Sequence, residues 1–221
     1  MRMNIAIDGP SAAGKSSIAK ILAQKLGYVH LDSGAMYRCL AYKALKMQVD
    51  LEDEAALLSL LKKTKIQLQK EGKVMLDGQD VTQSIRLPQV SMAASRISAY
   101  GAIRADLVDQ QRKMAAEMDC VMDGRDIGTV VLPHAQVKIF LTASVHVRAM
   151  RRMAQEAAAN RTPKSLAAIE KEISARDEAD MHRAVSPLRQ AKDALLIDNS
   201  LMTKEETVEV IMQRIRSVLG Q

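Results

Sequence analysis

A chain of 221 residues can enclose one α/β core with a small satellite but not two large domains. Apolar residues at 48% and charged residues at 26% exclude a fibrous or disordered class. The net charge of +6 implies anionic ligands, while 2% aromatics without Trp removes the stacking platforms of single-strand binders, which favours small anions over nucleic acid.

The elements follow in chain order. Residues 3–8 (MNIAID) form an apolar run of strand length, ended by Gly9 and Pro10. No apolar run approaches the roughly 18 residues of a membrane span, and MRMNIAIDGP lacks a signal-like apolar region, so a cytosolic protein without membrane contact is expected. Next stands GPSAAGKSS, residues 9–17, which matches the phosphate loop G-x-x-x-x-G-K-[ST]. Ile18, Ile21, Leu22 and Leu26 then form a helical stripe stopped by Gly27. A strand–loop–helix of this kind aims backbone N–H groups and a helix N-terminus at an anion. Gly9 and Gly14 allow the backbone geometry, with Pro10, Ser11, Ala12 and Ala13 between them. Lys15 reaches the β/γ-phosphates, Ser16 is the expected Mg²⁺ ligand and Ser17 adds a phosphate hydrogen bond. The ligands implied are ATP and Mg²⁺.

YVHLD supplies a second strand ending at Asp32, followed by helices through Met47 and over 51–63. Between 64 and 81 the period becomes alternating: Ile66 and Leu68, a turn at Glu71-Gly72, Val74 and Leu76, then a third short strand after Asp77-Gly78. This antiparallel patch inside a βαβ pattern marks an insertion over 63–100. Residues 88–118 are helical with a break at Tyr100-Gly101, and 120–123 and 137–143 are strands. A basic helix runs over 144–160, Thr162-Pro163 interrupts it, and another helix covers 165–183. Strand 194–198 and a helix from Lys204 close the chain. Five strands alternating with helices predict a parallel, doubly wound sheet across residues 1–221. Cys39 and Cys120 lie far apart without metal-ligand spacing, as free, half-buried small side chains would.

Ligands of open α/β sheets sit beyond the carboxyl ends of the strands. LDSGAMYR places Ser33 and Arg38 there, and GRDIGT places Arg125 and Asp126. Two arginines converging on one mouth would clamp a phosphate. Arg148, Arg151 and Arg152 share a helical face, with Arg161 beyond; a movable lid over 148–170 would bring Arg148 and Arg152 onto the transferring phosphoryl and exclude water. Arg176, Asp180 and Arg183 share another face, where helix salt bridges or contacts to ribose and phosphate both account for the spacing.

Taken together, GPSAAGKSS, LDSGAMYR, DGRDIGTVVLP, VKIFLTAS, RDxxDxxR and SPLxxAxDALLID resemble the bacterial cytidylate (CMP) kinases of the nucleoside monophosphate kinase family, in that family's order over nearly the whole chain. The resemblance implies a P-loop kinase fold with an inserted monophosphate-binding domain, acting as a monomer to transfer the γ-phosphoryl of ATP to CMP or dCMP. Ser33, Arg38 and Arg125 would hold the acceptor phosphate, with Arg183 nearby. Ser95, Arg104 and Asp126 would read cytosine, and Arg176 and Asp180 the ribose. Asp126 can accept from the exocyclic amine of cytosine where uracil presents a carbonyl. Asp32 and Asp123 would order the magnesium waters. A P-loop kinase for another small acceptor, and an ATPase or switch using Asp123 on the magnesium water, stand as alternatives at this stage.

Overall fold

The computed structural model describes residues 2–69, 72–160, 162 and 164–220; the expectations at Glu71, Arg161 and Pro163 lie outside the described residues. Five parallel strands, β1 (Asn4–Asp8), β2 (Val29–Asp32), β6 (Cys120–Asp123), β7 (Val137–Thr142) and β8 (Leu195–Asp198), form one sheet in the order β2-β6-β1-β7-β8. The first strand therefore sits in the middle, and the loop that follows it opens at the centre of one sheet edge. Register pairs Asp32 with Asp123 and Ile7 with Asp123, so Asp8, Asp32 and Asp123 gather at that edge.

Both sheet faces are covered, which is why these strands are continuous apolar runs. Ile5, Ile7, Val121, Ile139 and Leu141 pack on α1 (Lys15–Leu26) and α8 (Lys204–Leu219). On the opposite face Ala6, Leu31 and Met122 meet Val108 and Ala115 of α5 (Gly101–Glu117), with Ile127 and Val131. Helix α1 stops at Gly27, whose φ of 71° turns its N–H back to the carbonyls of Ala23 and Gln24.

A second hydrophobic cluster joins α2 (Ser33–Lys46), α3 (Glu54–Lys62) and α4 (Pro88–Ile97) to a three-stranded antiparallel sheet of β3 (Ile66–Leu68), β4 (Val74–Leu76) and β5 (Gln79–Asp80). Ile66, Val74 and Leu76 are its buried strand residues. Asp77 and Gly78 have φ of 48° and 84°, the two positive values that a two-residue turn between twisted strands requires. Helices α6 (Val145–Ala158) and α7 (Leu166–His182) share a small cluster of Ala149, Ile169 and Ile173, against which Ala12 packs.

After β6, where the sequence left loop or helix open, residues Ile127–Val131 form a wide helical turn in which the amides of Val130 and Val131 both donate to the Asp126 carbonyl, at 2.9 and 3.1 Å. Arg112 reaches from α5 to cap its carbonyls, Nη2 to Val130 at 2.6 Å and Nε to Val131 at 3.0 Å. Cys39 and Cys120 are free and fully buried, and burial pushes each thiol up to about 12. No helix among the described residues is long and apolar enough to cross a membrane.

Candidate active site

The phosphate loop joins β1 to α1. At Gly9, φ is 146° and a Cβ would stand 1.9 Å from the Leu141 carbonyl oxygen, so only glycine lets the loop pass this close to β7. Ala12 holds a left-handed φ of 59° and Gly14 one of 94°. Lys15 is buried, and its Nζ donates to the Pro10 carbonyl at 2.7 Å. Burial above all, then repulsion from Arg125, lowers its pKa to about 7 against the pull of Asp123, Asp8 and Asp180.

Ser16 Oγ donates to Asp123 Oδ2 at 2.6 Å, and His30 Nε2 bonds Asp123 Oδ1 at 2.7 Å. Burial alone would raise the Asp123 pKa; the hydrogen bond and charge of His30, with Ser16 and Lys15, outweigh it and hold the carboxyl below its ordinary value. Conversely burial draws His30 down, and Asp123 more than restores it, leaving the imidazole above its ordinary value. A hydroxyl beside an ionised carboxylate is the hard oxygen donor set that Mg²⁺ accepts. Among the described residues no three or more His, Cys, Asp or Glu are placed to hold a metal ion together, so a cation here would complete its shell with water and phosphate.

Across the sheet edge stands a cluster of arginines. Arg38 Nη2 donates to Asp32 Oδ2 at 2.6 Å, and Arg125 Nε to Asp180 Oδ2 at 2.9 Å. Arg104 Nη2 is paired with Asp126, while Arg183 approaches Asp126 Oδ1 and Asp180 Oδ1, each at 3.7 Å. Arg176 is half-buried, and burial, reinforced by Arg125, lowers its pKa to about 10, with Asp180 opposing. Asp180 itself is held below its ordinary value because Arg125 and Arg176 outweigh its burial. Among the described residues, the Nε atoms of Arg38, Arg104 and Arg176 and Nη2 of Arg183 are enclosed without a hydrogen-bond partner. Buried cationic donors in that condition call for an anion.

A family model described as cytidylate kinase matches residues 5–217. The chain belongs to the cytidylate kinase family. It is therefore an ATP-dependent nucleoside monophosphate kinase, a phosphotransferase. A cytidylate kinase of Geobacillus sp. (strain WCH70) is 48% identical, with 100% of each chain covered. Another, of Bacillus cereus (strain ATCC 10987 / NRS 248), is 44% identical, covering 100% of this chain and 99% of that one. Among solved structures, an uncharacterized protein from Eubacterium ventriosum ATCC 27560 has a TM-score of 0.56 at 11% identity, covering 98% of this chain and 99% of that one. A gluconokinase from Sinorhizobium meliloti 1021 has a TM-score of 0.50 at 13% identity, covering 99% and 97%. These two show the fold alone. The ATPase or switch alternative is not favoured.

Within this cytidylate kinase family member, Ser33, Arg38, Arg104, Arg125, Asp126, Arg176, Asp180 and Arg183 come together. Ser33 Oγ donates to the Asp123 carbonyl at 2.7 Å, in space that a Cβ on Gly124 would fill to within 2.5 Å. The Ser95 carbonyl accepts from Ser98 Oγ at 2.8 Å, and the Ser98 carbonyl accepts from Arg104 Nη1 at 3.0 Å. The basic helix differs from expectation. Arg148 faces inward, donating to the carbonyls of Ala143 at 2.8 Å and Ser11 at 3.0 Å and pairing with Asp177. Arg152 Nε pairs with Glu156 on its own helix at 2.9 Å, and Arg151 grips Asn199 through two 2.9 Å bonds. Arg148 and Arg151 reach the phosphate loop at Ser11 and Ala13 while Arg152 is held by Glu156, so the donors of this helix are taken up by backbone and neighbouring side chains.

Four positions given no role by the motifs also bind into the site. Asp8 accepts from the amides of Ile127 and Gly128, both at 2.7 Å, and so ties the loop bearing Arg125 and Asp126 to the phosphate-loop strand. Burial foremost, with a contribution from Asp126, raises its pKa from 3.8 to about 6 against those two N–H bonds and Lys15. His30, Asp177 and Asn199 are the others, and Asn199 Nδ2 donates to the Ala13 carbonyl at 3.2 Å. An acid ending the strand before a phosphate loop was the available signal for Asp8; the rest depend on tertiary contact.

Proposed function

We propose that the chain transfers the γ-phosphoryl of ATP to CMP or dCMP, giving CDP or dCDP, with Mg²⁺ at Ser16 and Asp123. The observation that carries this reading is the set of partnerless buried guanidinium nitrogens standing across the sheet edge from the phosphate loop. One anion pocket takes the donor triphosphate and the other the acceptor monophosphate. Ser33, Arg38, Arg125 and Arg183 bind the acceptor phosphate; Arg104 and Asp126, with Ser95, read the cytosine; Arg176 and Asp180 hold the sugar. Gly9 to Ser17 cradle the donor.

The acceptor phosphate oxygen is already anionic, so the reaction needs no side-chain base; in-line positioning and charge neutralisation supply the catalysis. Lys15 exchanges the Pro10 carbonyl for the triphosphate and regains a fully charged ammonium. Mg²⁺, when bound, neutralises triphosphate charge. Arg125, between Lys15 and Asp180, holds the acceptor phosphate facing the donor. Residues 63–100 act as the acceptor-binding insertion and 148–170 as the lid, with Arg148 serving the transferring phosphoryl through Ser11 of the phosphate loop and Arg152 by exchanging Glu156 for it. A cytosolic monomer accords with these roles.

The test is a coupled assay across CMP, dCMP, UMP, AMP and shikimate, with Lys15→Met as control. CMP or dCMP gives the highest kcat/KM, and the variant loses transfer while its circular dichroism is unchanged. A wild-type preference for another acceptor, or full activity of Lys15→Met, overturns the assignment.

A further inference from the structure

Resting on that two-pocket reading, we propose that Asp177, with Arg148, is a positioning residue that clamps the tip of the phosphate loop and ties it to the acceptor-binding helix. Both backbone groups of Ser11 are held by this pair. Its amide donates to Asp177 Oδ1 at 3.0 Å, and its carbonyl accepts from Arg148 Nη1 at 3.0 Å, while Arg148 Nη1 also pairs with Asp177 Oδ2. Asp177 and Arg148 are 6% and 5% exposed, and Arg148 Nε is fixed on the Ala143 carbonyl at 2.8 Å. The next residue, Ala12, holds its left-handed φ of 59° and packs on Ile169 and Ile173 of α7 and Ala149 of α6. The loop tip is thus fixed from one side by two helices.

The same helix α7 serves the other pocket. Adjacent helical residues point about 100° apart, whereas residues four apart share a face. Arg176 and Asp180 therefore face the arginine cluster while Asp177 faces Ser11. Arg176 keeps an unpartnered Nε there, and Asp180 accepts from Arg125 at 2.9 Å. A rigid helix gripping both pockets cannot move in one without moving in the other. A buried ion pair is seldom the most stabilising choice for its volume, but it fixes geometry in a way an apolar pair cannot. The consequence is reciprocal coupling, in which donor binding tightens acceptor binding by the same factor as the reverse.

Titration calorimetry of CMP, with and without the β,γ-imido analogue of ATP, reads this factor directly. Wild-type protein shows CMP affinity raised by about 5-fold or more when the analogue is present. In Asp177→Asn that ratio falls to within 2-fold of one, CMP alone binds within about 3-fold of wild type, and KM for ATP rises more than kcat falls. The double variant Arg148→Met/Asp177→Leu keeps the volume without the buried charges and loses the ratio likewise, should the single variant be too unstable. A wild-type ratio within 2-fold of one overturns the proposal, as does a wild-type ratio retained in either variant. Failure of the wild-type protein to bind any nucleoside monophosphate overturns the two-pocket reading and this proposal with it, whereas binding of both nucleotides without coupling overturns this proposal alone.

Discussion

Replacing Asp126 by Asn removes one charge from the most tightly enclosed ion network in the molecule. Asp126 is 5% exposed and Arg104 3%; Arg104 Nη2 pairs with one carboxylate oxygen and Arg183 Nη2 lies 3.7 Å from the other. Arg104 also stacks its guanidinium 5.4 Å from the Tyr37 ring centre, and Arg183 Nε donates to the Ser186 carbonyl at 2.6 Å, so each arginine has a second hold. Breaking a buried pair typically costs about 3–5 kcal/mol, and Asn retains one oxygen for Arg104, which brings the expected loss to about 2–3 kcal/mol. For a chain of 221 residues that is a fall in Tm of about 4–12 °C. Asn must also spend its only oxygen on either Arg104 or the exocyclic amine of cytosine. Loss of one such discriminating contact costs about 1–3 kcal/mol, so the ratio of kcat/KM for CMP over UMP falls by roughly 5- to 160-fold. Scanning fluorimetry and steady-state kinetics on both acceptors measure the two effects. An unchanged Tm refutes the view of Asp126 as a buried counter-ion; a lowered Tm with an unchanged CMP to UMP ratio refutes its part in reading the base.

Three further outcomes follow from particular contacts. Gly9→Ala drives a Cβ to 1.9 Å from the Leu141 carbonyl of an interior strand, so urea unfolding places it more than about 3 kcal/mol below wild type and ATP-analogue titration detects no binding; a wild-type midpoint contradicts this. Asp77 accepts from Lys43 Nζ at 2.6 Å and the Lys65 amide at 2.8 Å, and although burial works the other way these contacts hold its pKa below 3.8. Its stabilisation is therefore present above pH 3.8 and lost as pH falls through the lowered value. Urea unfolding against pH should show Asp77→Asn about 0.5 kcal/mol less stable at pH 7 and equal to wild type near pH 2; a pH-independent difference would count against the ion pair. Arg176→Met relieves repulsion from Arg125 and raises the ligand-free stability by about 1 kcal/mol, while CMP shifts its Tm less than it shifts that of wild type; a less stable variant would mean that Arg176 serves the fold rather than the acceptor.

The elements were legible where local chemistry decides them. Gly27 ends α1, Asp77-Gly78 turns the small hairpin, and the break at Tyr100-Gly101 separates α4 from α5 as the helical pattern implied. The wide turn at Ile127–Val131 was not legible, because the groups that hold it come from afar: Arg112 on α5 caps its carbonyls, and Asp8 on β1 takes the amides of Ile127 and Gly128. Neither bond leaves a periodic trace in the sequence. The acceptor side was readable because its arginines stand at strand ends and at helical spacing, which fixes the edge or face they occupy. What such spacing cannot fix is the neighbour each face meets, and that is where Arg148 departs from expectation. Its face packs on the phosphate loop, and Ser11, Ala143 and Asp177 take up its donors.

That departure bears on how the two pockets are balanced. In the donor half, Lys15, Arg148 and Arg151 are all engaged: with the Pro10 carbonyl, with Ser11 and Asp177, and with Asn199. In the acceptor half, Arg38, Arg104, Arg176 and Arg183 each keep a buried nitrogen without a partner, and Arg125 and Arg176 repel one another around the carboxylate of Asp180. Unmet donors and like charges destabilise the ligand-free fold, and a bound nucleoside monophosphate would relieve them, its phosphate at Arg38 and Arg183 and its sugar at Arg176. On the proposed assignment, the acceptor half is the one whose order depends on its ligand, while the phosphate loop is held by its own protein contacts. Lys15 fits this division, since lowering its pKa to about 7 leaves a group that recovers its charge when it trades a carbonyl for a triphosphate.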